Sequence, residues 1–338
     1  MTLTREQCLN IKGIGMILIM IHNFVDHIQS VECNEMYYSQ AATDFFLEHI
    51  FSSSSIWYFF AFAGWIGVSL FFFMSGYSLS KKYGKQKIEY LPYIKRHAVK
   101  LWKLLLPVYF LYVLVSHFCF GQEYQIKGII AVASLNGNFF ADSFFEPGVY
   151  WFFGAIFQFY ILFLFIRHFE TRWLVNILLL FVLMYYYVLY FDNEYTSFYF
   201  MYTFRGWLVP FIIGMIYARK EFSLSKKQNS VLFLFSTVVL AFCLVTKPLA
   251  PFVDIMMIVS AVSFVQLKSY RLISFVGLIS ASIFVIHPFV RMIFLNTICS
   301  NESYGSVLGM ETLLYVIITI LLSWCHFHAL KAFDRVPL

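Results

Sequence analysis

The sequence predicts an all-α, polytopic integral membrane protein of about ten transmembrane helices with both termini in the cytoplasm. Three observations carry this. Apolar residues are 61% of the 338 and charged residues only 12%, against about half and a quarter in soluble domains, so a water-soluble fold cannot hide the apolar surface. Apolar runs of the length that crosses a hydrocarbon core, about 17 to 25 residues, recur along the whole chain. Lys and Arg concentrate between alternate runs, which is the positive-inside pattern.

The spans fall near residues 11–28, 57–79, 101–119, 149–166, 173–191, 198–217, 230–247, 250–266, 272–296 and 310–330. The first run has the length of a signal-peptide core, yet Lys12 and His22 interrupt it and no small-residue cleavage site follows directly, so it is read as helix one. With the N-terminus inside, twenty of the 24 Lys and Arg residues lie on cytoplasmic segments, eight of them between Lys81 and Lys103. Only Lys127 and Lys247 fall outside, and Arg205 and Arg291 fall within spans. The external loop 29–55 agrees, carrying Glu32, Glu35, Asp44 and Glu48 without Lys or Arg. A second external loop, 121–148, holds a half-length apolar stretch, 126–135, suited to lying at the interface.

No soluble domain, repeat or low-complexity segment remains, so residues 1–338 read as a single domain. The net charge of +6 is therefore topological, and nucleic acid is not a partner. No GxxxxGK phosphate loop and no HExxH cluster occurs, so neither nucleotide hydrolysis nor a metal is expected. Cys33 and Cys299 lie in external loops and are a candidate pair in an oxidising compartment.

Ionisable residues deep in a bilayer are costly and usually mark a pathway or a site. Five stand at membrane depth: His22 and Asp26 on helix one, Arg205 on helix six, and His287 and Arg291 on helix nine. His22 is ten residues beyond Lys12, hence about 15 Å deeper at the helical rise, which puts Lys12 at the inner mouth and His22 near the midplane. Each of the pairs His22/Asp26 and His287/Arg291 is four apart and shares a helical face, so convergence with Arg205 on one cavity in the outer half is expected. Mutual satisfaction across helices, with Arg291 snorkelling outward, is the plainer alternative. Gly64, Gly67, Ser75 and Gly76 on helix two read first as close packing, and Trp151 as an interface anchor.

Four passages resemble the acyltransferase 3 family of membrane acyltransferases. These are Asn10-Ile11-Lys12-Gly13-Ile14-Gly15 leading to His22; Gly67-Val68-Ser69-Leu70-Phe71-Phe72-Phe73-Met74-Ser75-Gly76-Tyr77; Tyr150-Trp151-Phe152-Phe153 with Gln158 and Tyr160; and Ser280 to Pro288, ending Phe284-Val285-Ile286-His287-Pro288. The basic stretch 93–107, with Lys95, Arg96 and Lys100 before Leu106-Pro107, is similar to the family's segment entering helix three. Where the family carries an Arg and then, after ten residues, a His regarded as catalytic, this chain has Lys12, nine residues, then His22 and Asn23.

The resemblance implies a donor, acyl-CoA and most commonly acetyl-CoA, with no bound cofactor, and an acceptor hydroxyl on an extracytoplasmic surface polysaccharide or its lipid-linked precursor. It places the chain in the bacterial cytoplasmic membrane, among membrane lipid, and leaves a homo-oligomer open. His22 is then the expected general base, because imidazole titrates near working pH, with Asp26 orienting it and His287 or Arg205 stabilising the oxyanion. An acyl-histidine relay is the other route. Lys12, Asn23, Arg205, Arg291, Ser75, Tyr77, Trp151 and Gln158 are expected to line the substrates, and Lys95, Arg96 and Lys100 to meet the CoA phosphates. A transporter or flippase of a lipid-linked sugar is the rival reading, since buried charges also suit a translocation pathway, although no mirrored pair of broken helices is evident.

Overall fold

The computed structural model describes residues 2–28, 38–84, 86–139, 147–191, 199–220, 224–297 and 308–333. Among them the regular structure is helical and no strand occurs: α1 (Arg5–Ile28), α2 (Gln40–Glu48), α3 (Ser55–Ala63), α4 (Gly67–Tyr83), α5 (Tyr90–Phe120), α6 (Ile126–Ala133), α7 (Trp151–Ile166), α8 (Thr171–Phe191), α9 (Leu208–Arg219), α10 (Lys226–Val245), α11 (Val253–Leu267), α12 (Arg271–Leu278), α13 (Ser280–Thr297) and α14 (Leu308–Phe333). Among the described residues eight helical segments are long and apolar enough to cross a bilayer, and α7 and α9 are shorter apolar helices. The candidate cysteine pair and Glu32 and Glu35 lie outside the described residues.

α1 is the hub, packing on α3, α4, α12, α13 and α14. At the periphery, Leu179, Leu183 and Phe191 on α8 and Leu313, Ile317 and Leu321 on α14 are exposed, as lipid-facing residues are. The half-length α6 likewise leaves Ile126 and Ile130 exposed, which fits an interfacial helix.

Three expected spans differ from simple helices. The second, 57–79, is interrupted by a 3-10 turn, Gly64–Ile66, and the ninth, 272–296, divides at Ile279 into α12 and α13. The sixth, 198–217, is helical at 199–201, turns over 202–207 and is helical again from Leu208. Hydropathy cannot distinguish these turns from helix, because their freed backbone groups are satisfied inside the protein rather than by water. The turn before α9 is held this way: the Phe204 N–H donates to Gln158 Oε1 at 3.0 Å, and Trp207 Nε1 donates to Met201 O at 2.6 Å.

Basic residues gather at one end of the bundle, called here the basic face. Arg167 is buried and donates to Tyr83 O and Gln86 O, at 3.0 and 2.7 Å. Arg219 reaches back to the carbonyls of Arg167 and Phe169. Gln7 donates to Val265 O, and Asn10 bridges Ser274 Oγ and Tyr270 N. At the opposite end Phe24, late in α1, stacks on Tyr315, early in α14, at 4.1 Å. α14 is therefore antiparallel to α1, and its C-terminal end returns to the basic face.

Small residues set the helix spacing. A Cβ on Gly76 would lie 2.0 Å from Phe211 O, and one on Gly214 would lie 2.1 Å from Phe73 O, so α4 and α9 touch backbone to backbone. Gly15 and Gly67 make the matching contact between α1 and α4. Gly76→Ala must push α9 away along its length, and we expect a loss of about 1–3 kcal/mol from such overpacking. Thermal unfolding in detergent checks this; an unchanged melting temperature would refute it.

Candidate active site

His22 sits on α1 beneath the α3–α4 break, 7% exposed. Gly64 makes room for it, since a Cβ there would meet His22 Cβ at 2.5 Å. The break turns two carbonyls toward the ring: Nδ1 lies 3.0 Å from Ala61 O and 3.2 Å from Phe60 O. Facing these two carbonyls, Nδ1 is the nitrogen that donates, and in the neutral ring the lone pair then lies on Nε2. The backbone thus fixes a basic tautomer, a task the sequence assigns to Asp26. Asp26 instead stands with Oδ2 3.8 Å from His27 Nδ1.

His287 repeats the arrangement on α13. Its Nδ1 lies 3.1 Å from Ile283 O, its residue is fully buried, and its Nε2 has no partner among the described residues. One turn on, Arg291 is 3% exposed, so it points inward rather than snorkelling. Its guanidinium donates to Asn23 O (3.3 Å), Asn23 Oδ1 (3.5 Å), His27 Nδ1 (3.3 Å) and Pro147 O (3.3 Å). Asn23, His27 and Arg291 therefore form one network beyond His22, with Asp26 beside it, tying the outer end of α1 to α13 and to the turn before α7.

Arg205 does not join it. It is exposed on the turn before α9 and lines a separate cleft of about 20 Å³ with Trp65, Trp207 and Asp254. Face-sharing within a helix holds for the pairs on α1 and α13, but nothing in the spacing directs helix six toward them. Asp254 accepts from Ser69 Oγ and lies 11 residues, about 16 Å, beyond Val265 at the basic face. It is thus an acidic group at depth that sequence reasoning missed. The signal was an acidic residue within the apolar run 250–266, just after the short turn Lys247–Phe252, which holds Pro248 and Pro251.

Toward the basic face a cavity of about 310 Å³ opens between α1, α4, α5, α7 and α13. Lys12, Lys82, His97, Lys100, Tyr83 and Tyr160 line its outer part. The His97 ring is wedged between those of Tyr93 and Tyr160, at 4.1 and 4.3 Å. Of the basic residues expected near CoA phosphates, Lys100 lines the cavity. Lys95 and Arg96 are exposed and are not among its lining residues. Lys82 and His97 join it unforeseen, because α4 ends and α5 begins at the same rim.

The remaining expected substrate residues divide. Ser75 lines the cavity, its hydroxyl donating to Phe71 O at 2.8 Å. Tyr77 does not; its hydroxyl accepts from the Leu3 N–H at 3.0 Å and pins the N-terminal segment. Trp151 is no interface anchor: it is 6% exposed and stacks on Trp207 at 5.8 Å in an aromatic core. Gln158 braces the turn before α9 and donates to Asn138 Oδ1 at 3.3 Å.

An anion-ready basic cavity below, and a basic imidazole held by backbone carbonyls above, suit transfer of a group across the bundle. The family model for an acyltransferase domain matches residues 9–328, nearly the whole chain. The chain belongs to the acyltransferase 3 family. It is a membrane acyltransferase, and the matched region contains every residue of both the cavity and the His22 network. No curated protein and no solved structure matches it.

Proposed function

We propose that this acyltransferase moves an acyl group, acetyl first among the choices, from cytoplasmic acyl-CoA to a hydroxyl of an extracytoplasmic surface glycan or its lipid-linked precursor, in a bacterial cytoplasmic membrane. The observation that carries the reading is the pairing of the basic cavity with the histidines beyond its far end. Lys12, Lys82 and Lys100 supply the charge that CoA phosphates need, and the cavity, with its tyrosines and phenylalanines, is of the size that holds a drug-sized ligand. The oppositely placed network of Asn23, His27 and Arg291, with Asp26 beside it, offers polar partners to a sugar.

In this mechanism His22 Nε2 takes the proton of the acceptor hydroxyl, and the oxygen attacks the thioester carbonyl carbon. The carbon–sulfur bond breaks, and His22 passes the proton to the departing sulfur, so that CoA leaves as the thiol. Proton and electron pair both balance, and the protein ends as it began. His287, with Nε2 free and Nδ1 occupied, is the second group available to the proton, and Arg291 supplies positive charge for the oxyanion.

Purified protein in lipid bilayers, given radiolabelled acetyl-CoA and isolated envelope polysaccharide, should release free CoA in an acceptor-dependent way and label the polysaccharide. Sugar counterflow in the absence of any acyl transfer would overturn the proposal in favour of transport.

A further inference from the structure

The cavity's two ends are chemically unlike. Each wall helix can be followed away from the basic face to the last residue it contributes. On α4 that is Phe71, reached after Lys82, Leu79, Ser78, Ser75 and Met74; on α5 it is Leu104, after His97, Lys100 and Leu101. On α7 it is Phe152, with Phe153 beside it, after Tyr160 and Ile156, and on α13 it is Phe284, after Ser280 and Ala281. Four helices thus close the cavity with apolar side chains, about 16 Å from Lys82 along α4.

Three of these rings make a closed layer. Phe152 and Phe284 are 4.6 Å apart, Phe71 and Phe152 are 6.1 Å apart, and Phe71 and Phe284 are 6.5 Å apart. Phe152 also meets Phe72 at 5.1 Å and Phe284 meets Phe153 at 5.7 Å, so each ring of this pair has a further aromatic neighbour that limits how far it can swing aside. Past the layer, the His287 ring lies edge to face with Phe284 at 5.6 Å. Neither His22 nor His287 lines the cavity.

We infer that Phe71, Phe152 and Phe284 gauge the acyl group of the donor, admitting a short chain such as acetyl to the histidines and stopping a longer one. The inference rests on the acyl-CoA reading above. A pantetheine thioester in the cavity carries its acyl end against these rings. A two-carbon group passes between them with small rotations. Each further methylene must be forced into an already packed layer, and such overpacking outweighs what the methylene gains by leaving water. The same layer keeps water of the opposite face from the thioester.

The test is the donor chain-length profile of Phe152→Ala, read as kcat/KM for acetyl-, butanoyl- and octanoyl-CoA from CoA release. A single misfit methylene in a fitted apolar pocket discriminates by about 10–200-fold. The acetyl-to-octanoyl ratio of the wild type should therefore fall by roughly tenfold or more in the variant. Phe284→Leu, which shortens the layer with less loss of volume, should move the ratio in the same direction and serves where Phe152→Ala does not fold. Wild-type and variant profiles of the same shape overturn the gauge, and so does an equal loss for all donors, which is what a merely structural ring would give. A wild type that releases CoA from none of the donors overturns the acyl-CoA reading itself and the gauge with it.

Discussion

Acyl transfer by His22→Ala is expected to fall by roughly a hundred- to ten-thousandfold, the range that a positioned general base contributes. The folded protein should persist. His22 occupies a slot that Gly64 leaves open, and its removal costs two hydrogen bonds from Nδ1 to Phe60 O and Ala61 O. His22→Gln separates the two roles, because an amide N–H can still donate to those carbonyls while no basic nitrogen remains. Both variants should therefore be inactive, and His22→Gln should melt closer to the wild type. Asp26→Asn should lose far less activity than either, since Asp26 stands beside His27 and the Nδ1 proton of His22 is held by backbone. Labelled acetate on the acceptor and thermal unfolding read the two quantities; transfer surviving in His22→Gln would remove the imidazole from the chemistry.

The fold was legible where the bilayer alone dictates it. Long apolar runs with basic flanks report helices that must satisfy their own backbone, and the long described helices fall on them. The breaks were not legible, because what stabilises them is distant in sequence: Gln158 for the turn before α9, and the His22 Cβ against Gly64 for the α3–α4 break. At the site the same division holds. Spacing of four along one helix places His22 with Asp26, and His287 with Arg291, on common faces. It says nothing of which helices meet, so Arg205 falls into the cleft with Asp254. Residue type misled at Trp151, where an amphipathic ring that suits an interface is spent on Trp207; Tyr77, expected along the substrates, has its hydroxyl on the Leu3 N–H. His27 adjoins the predicted pair, yet its acceptor role toward Arg291 depends on a contact across 264 positions of sequence.

The second large effect is expected at Arg291. Its two terminal nitrogens reach four acceptors on α1 and on the turn before α7, and a planar fork on a long stem is what spans them. Arg291→Lys keeps the charge but offers one nitrogen, so it cannot hold Asn23 and Pro147 together. Arg291→Leu leaves buried carbonyls without a donor, at about 1–3 kcal/mol for each group abandoned. Both should lower the melting temperature, leucine more. The effect on transfer should appear in kcat, by about tenfold for lysine and a hundredfold or more for leucine, the scale of a lost stabilising donor or of a misplaced reacting group. The KM for acyl-CoA should stay near the wild-type value, because Lys12, Lys82 and Lys100 stand on the other side of the phenylalanine layer and do not touch the network. A rise in that KM with kcat unchanged would place Arg291 with the donor instead. The argument turns on direction: α1 passes the basic cavity at Lys12, the layer near Gly15, where a Cβ would lie 3.2 Å from the Phe71 ring, and the network at Asn23, so damage at its outer end should disturb the acceptor side alone.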